Sequence, residues 1–95
     1  MVRGVKKTRF SHEDEVFRSL LKGIRHSKGW TQVTLARKLR VPQSMVSKFE
    51  SGERSLNFVE TAAVCHALGV ELDAFAREYL EQTGTARARS ARRAM

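Results

Sequence analysis

Residues 32–51 read QVTLARKLRVPQSMVSKFES. Two helical stretches meet there, separated by Arg40-Val41-Pro42. In the first, Leu35, Ala36 and Leu39 recur on one face, and Thr31 ahead of them is a good N-cap. Proline is tolerated in a first helical turn, so the second stretch starts at Pro42 and runs to Glu50 or Ser51. Gly52 suits the left-handed residue that closes it. Met45, Val46 and Phe49 give this second stretch an apolar face. Opposite them, Gln43, Ser44, Ser47 and Lys48 offer only hydrogen-bonding groups.

Working outward, the flanks read as three more short helices. Ser11 ahead of His12, Glu13 and Asp14 is a capping-box-like start with acids in the first turn. Val16, Phe17, Leu20, Leu21 and Ile24 then form one apolar stripe, which ends at Ser27-Lys28-Gly29. Trp30 is placed to pack on Leu35 as a hydrophobic staple. Asn57 and Glu60 read as a cap with its capping-box partner, followed by Phe58, Ala62, Cys65 and Leu68 as a buried stripe that Gly69 closes. Leu72, Phe75, Ala76, Tyr79 and Leu80 follow the spacing of a last amphipathic helix. No stretch sustains a period of two. The expected class is all-α, a compact five-helix domain with flexible basic tails.

The chain has 95 residues and a net charge of +8, enough for one small domain. A basic N-terminal arm is assigned to 1–10, the folded domain to 11–82, and an Arg/Ala-rich tail, expected to be disordered, to 83–95. Arg3, Lys6, Lys7 and Arg9 charge the arm, and Arg87, Arg89, Arg92 and Arg93 the tail, without an acid in either. Between Arg18 and Arg54 stand nine bases against Glu50 and Glu53. On charge alone this fits a polyanion partner or merely a solvated basic surface.

Several classes are set aside. The single cysteine, Cys65, rules out an internal disulfide, and the chain lacks paired metal-ligand spacings, so no metal or other cofactor is expected. The basic N-terminus is not followed by an apolar stretch, as a secretory signal would be. No apolar run approaches the roughly 18 residues of a membrane span. A cytoplasmic protein without a membrane partner is therefore expected. Ser47 and Lys48 are neighbours that diverge on a helix, so they do not form a nucleophile pair. Cys65 reads as a small core residue and His66 as a partly exposed polar one. Without a glycine-rich phosphate loop or a plausible triad, no enzyme is expected.

The turn of about three residues between the two central helices is a helix-turn-helix arrangement. The blocks W-T-Q-x-x-L-A, V-P-Q-S-x-V-S-K-F-E-S-G-E-R and A-L-G-V-x-L-D, at residues 30–36, 41–54 and 67–73, resemble the phage-repressor/Cro family of XRE-type helix-turn-helix proteins. The likeness spans about Phe10 to Leu80, roughly three-quarters of the chain. It implies a repressor-like fold whose third helix enters the DNA major groove. Base contacts then fall to Gln43, Ser44, Ser47 and Lys48. Gln32 matches a glutamine that bonds a phosphate and braces the base-reading one. Thr31, Arg40, Arg54, Lys28 and Lys38 are placed for further phosphate contacts. Arg25 and Glu50 match an ion pair between the first helix and the end of the third. The family usually has glycine at the position of Arg40, where a positive φ costs other residues on the order of 1 kcal/mol.

The resemblance implies a sequence-specific regulator of transcription, a repressor, bound to double-stranded DNA as a homodimer on an inverted repeat. Phe75, Tyr79 and Leu80 are either core or part of a dimer surface. The alternative is a protein-binding module of the same fold: the antitoxin of a toxin–antitoxin pair, an antiactivator or a coactivator. In that case the last helix and the arginine tail contact a protein partner.

Overall fold

The computed structural model describes residues 11–84, so the basic arm and nearly all of the arginine tail lie outside the described residues. Five helices follow in order: α1 (His12–Ser27), α2 (Gln32–Leu39), α3 (Gln43–Ser51), α4 (Phe58–Leu68) and α5 (Leu72–Thr83). No strand occurs among the described residues.

The helix starts are where the capping residues place them. Ser11, Thr31 and Asn57 each accept a hydrogen bond from the backbone amide three residues on. Asn57 and Glu60 form a full capping box, the Glu60 carboxylate accepting from the Asn57 amide at 3.0 Å. Each bond satisfies an amide that the first turn of a helix cannot satisfy itself. The stops are equally local. Gly52, at φ 91°, ends α3 in the left-handed region. A Cβ there would lie 3.1 Å from Cζ of Arg18, so that site is also crowded.

Arg40 ends α2 at φ 61°, ψ 44°, the one non-glycine residue with positive φ among those described. Its amide donates to the Ala36 and Arg37 carbonyls, and the Val41 amide donates to Ala36 at 3.0 Å. These bonds fold the turn back on α2 and hold the residue left-handed. Arg40→Gly is expected to raise the unfolding free energy by about 0.5–1 kcal/mol, because the left-handed cost outweighs glycine's extra chain entropy. Urea unfolding followed by circular dichroism measures it.

Leu21 of α1, Leu35 and Ala36 of α2, Val46 and Phe49 of α3, Val64, Cys65 and Leu68 of α4, and Phe75 of α5 make one core. Helix α2 packs mainly on α3, while α1 touches α3, α4 and α5. Trp30, Leu39, Val41 and Met45 close over this core from the sides. Helix α3 is thus held from behind by two helices, which fixes its axis and leaves its polar face outside.

Two details depart from the sequence expectation. In α4 the buried residues are Thr61, Val64, Cys65 and Leu68, while Phe58 is 73% exposed and Ala62 only half-buried. FVETAAVCHAL is apolar almost all round, so spacing alone does not choose its inner face. Thr61 fits inside because its hydroxyl donates to the Asn57 carbonyl at 2.8 Å. In α5 only Phe75 is buried, and Ala76 faces solvent.

Candidate nucleic-acid interface

The outer face of α3 carries Gln43, Ser44 and Lys48 exposed and Ser47 half-buried. Val46 and Phe49, on the other side, are 0% and 2% exposed. The 3.6-residue period gives one short helix both a grip on the core and a free polar surface. Pro42 provides no side-chain cap. The first turn of α3 thus opens on backbone alone, the Met45 amide donating to the Pro42 carbonyl at 3.0 Å.

Behind this face runs a chain of side-chain hydrogen bonds. Arg25 is 5% exposed and Glu50 7%. Nε of Arg25 donates to Oε2 of Glu50 at 2.7 Å, and Nη2 donates to Oε1 at 2.9 Å. A third donor of Arg25, Nη1, reaches the Trp30 carbonyl at 2.8 Å. Gln32 Nε2 donates to Glu50 Oε1 at 3.0 Å, and Gln43 Nε2 donates to Gln32 Oε1 at 2.8 Å. The bonds run unbroken from a buried arginine on α1 to an exposed amide at the start of α3. Burial acts to raise the Glu50 pKa, but hydrogen bonds from Arg25 and Gln32, with the charges of Arg25 and Lys22, outweigh it and hold it below 4.5. Glu50 is therefore a carboxylate at neutral pH.

The residues expected at phosphates ring this face unevenly. Thr31 and Gln32 stand at the start of α2, and Lys38 and Arg40 are exposed near its end. Lys28 and Lys38 both lie over the Trp30 ring, with Nζ 5.1 Å and 5.4 Å from its centroid. The aromatic face steadies the two ammonium groups without neutralising them. Arg54 differs. Its Nη2 donates to Glu60 Oε2 at 2.8 Å, so its charge already has a partner. The sequence reading gave Glu60 only its capping role and missed this pair, because the two lie six residues apart across a loop.

Arg18 was also missed. It bonds Asp14 at 2.7 Å through Nε, donates to the Glu50 carbonyl at 3.2 Å through Nη1, and lies over Gly52. It therefore steadies the end of α3, and its only sequence signal was the four-residue spacing from Asp14. Of the three residues considered for a dimer surface, Phe75 is 5% exposed and stands edge-on to Phe17, with ring centroids 5.8 Å apart. It belongs to the core, and only Tyr79 and Leu80 of the three reach the surface.

With this geometry in place, the helix-turn-helix family model matches residues 21–75, more than half of the chain. The chain belongs to the XRE-type helix-turn-helix family. Its members are DNA-binding regulators of transcription. Among solved structures, the clp gene regulator ClgR from Corynebacterium glutamicum is similar at a TM-score of 0.67 and 27% identity, over 85% of this chain and 86% of that one. A comparison with curated proteins gave no match. Among the described residues, no helix of this helix-turn-helix protein is long and apolar enough to cross a membrane.

Proposed function

We propose that the protein is a sequence-specific double-stranded DNA-binding repressor, acting in the cytoplasm as a homodimer on an inverted repeat. The observation that carries this reading is the outward row Gln43, Ser44, Ser47 and Lys48, exposed except for the half-buried Ser47 and backed by a packed α2–α3 pair. Gln43 pairs with a base edge through its amide, Lys48 reaches a guanine acceptor, and the serines donate or accept. Thr31, Gln32, Lys28, Lys38 and Arg40 set the register on phosphates and carry no sequence information. The uncapped first turn of α3 also favours an anion nearby. Arg54 contributes less than its charge suggests, since Glu60 holds it. In a two-fold dimer the half-sites lie about 34 Å apart or a multiple of that, and Tyr79 and Leu80 sit on the pairing surface. A bound dimer represses by occupying its site.

Gln43→Ala is expected to reduce discrimination at one base pair of each half-site by about 1–3 kcal/mol. Selection of bound duplexes from a random pool, with the wild type and the variant side by side, measures it. A wild-type selection that returns no consensus rejects the proposal.

A second reading, the protein-binding module, is favoured by a different surface. Phe17, Leu56, Phe58, Leu72 and Tyr79 line an apolar groove beside α5, and Phe58 and Val59 are exposed next to it. Antitoxins of this fold combine both activities, and none of Gln43, Ser44, Ser47 and Lys48 lines the groove, so the two readings are compatible. Stoichiometric co-purification of one protein with the native chain, lost in a Phe58→Asp variant, supports the second reading.

A further inference from the structure

We infer that Glu50, which touches no base, determines which chemical class of base Gln43 prefers. The inference rests on the reading of Gln43 as a base-contacting residue and deepens it.

Amide side chains are ambiguous readers, because their two ends differ only in which atom is the donor. Here the ambiguity is removed in steps. The Arg25 guanidinium can only donate, and the ionised Glu50 carboxylate can only accept. Gln32 must therefore turn Nε2 toward Glu50, as observed at 3.0 Å. That turn leaves Gln32 Oε1 facing Gln43, so Gln43 must in turn present Nε2, as observed at 2.8 Å. Its Oε1 has no hydrogen-bond partner among the described residues and belongs to an exposed side chain. The polarity of a buried carboxylate thus arrives at the surface as an outward acceptor with one spare N–H beside it.

In the major groove an outward acceptor suits the exocyclic amines of adenine and cytosine, and the spare N–H suits adenine N7. With the chain reversed, Gln43 would turn its NH2 group outward. It would then favour the oxygen acceptors of guanine and thymine. Glu50 is accordingly a positioning residue. Its charge, acting through two side-chain hydrogen bonds to Gln43, selects amino over keto bases.

The test compares base preference at the step that Gln43→Ala identifies, using competition gel shifts with duplexes carrying each of the four bases there. The proteins are wild type, Arg25→Met/Glu50→Met, Gln32→Met, Gln43→Ala and the Gln32→Met/Gln43→Ala pair. The wild type is expected to favour an amino base by roughly tenfold. Gln32→Met cuts the relay without touching the buried ion pair, and should reduce that ratio to the Gln43→Ala level. Loss of a Gln32 phosphate bond lowers all affinities together and leaves the ratio alone, so the ratio reports the relay. In the double variant Gln32→Met should have no further effect on it. Removing both members of the ion pair in Arg25→Met/Glu50→Met leaves Gln32 with no carboxylate to orient it, and should reduce the ratio as Gln32→Met does.

An amino-base preference retained in Gln32→Met, or in a folded Arg25→Met/Glu50→Met, overturns the inference while Gln43 keeps its role. If circular dichroism shows Arg25→Met/Glu50→Met unfolded, Gln32→Met decides. A base preference unchanged in Gln43→Ala removes the underlying reading of Gln43 and this inference with it.

Discussion

Glu50→Ala is expected to lower the unfolding free energy by about 3–5 kcal/mol, a large share of the roughly 5–15 kcal/mol typical of a domain. The cost does not measure the strength of the ion pair. It arises because the substitution leaves the Arg25 guanidinium, 5% exposed, in the protein interior with two of its donors unmet. Replacing both partners, as in Arg25→Met/Glu50→Met, should be nearly neutral or even stabilising, since no unpaired charge then remains. Urea midpoints for the single and double variants separate the two effects. A loss below about 1 kcal/mol in the single variant would mean that water reaches the pair and that its burial is unimportant.

The pair also fixes a pH response. The Glu50 pKa is lower folded than its ordinary 4.5. Its contribution is therefore complete above that value and is lost as pH falls through the folded pKa. Acid unfolding of the wild type should show this component, and Glu50→Gln should lack it.

The second large effect is in binding. Each phosphate neutralised by a cation contributes a slope of about −0.9 to log K against log salt. Lys28, Lys38 and Arg40 are exposed cations without a carboxylate partner among the described residues, whereas Arg54 is held by Glu60. If all three meet phosphates in both protomers, the slope is about −5, and affinity falls about 2 × 10³-fold between 50 and 200 mM salt. Any cation of the two tails that reaches the backbone steepens it further. A monomer gives about half that slope, so the same titration counts protomers. Arg54→Ala should change the slope by much less than one. A slope shallower than about −2 would contradict the assigned phosphate contacts.

How much of this was legible in the sequence depended on whether the signal was local. Helix ends were readable because a cap is a contact over three residues, as Ser11, Thr31 and Asn57 show. Arg40 announced its left-handed turn by standing where the family resemblance leads one to expect glycine, and its φ is 61°. The polar face of α3 was readable because it alternates with Met45, Val46 and Phe49. The phase of α4 was hidden, since nearly every side of that helix is apolar and only packing decides that Val64 enters and Phe58 stays out. The Arg25–Glu50 pair joins residues 25 apart in sequence and came only from the family resemblance. The direction of the Gln32–Gln43 hydrogen bond needed coordinates, because an amide carries no sign in a sequence.

The central claim is that the outer face of α3 lies against DNA, and amide shifts of labelled protein during titration with a selected duplex test it most directly. The largest changes should fall on residues 43–48 and on Thr31, Gln32 and Arg40, with α5 little affected. Changes concentrated on α4 and α5, with Gln43, Ser44, Ser47 and Lys48 unmoved, would contradict it.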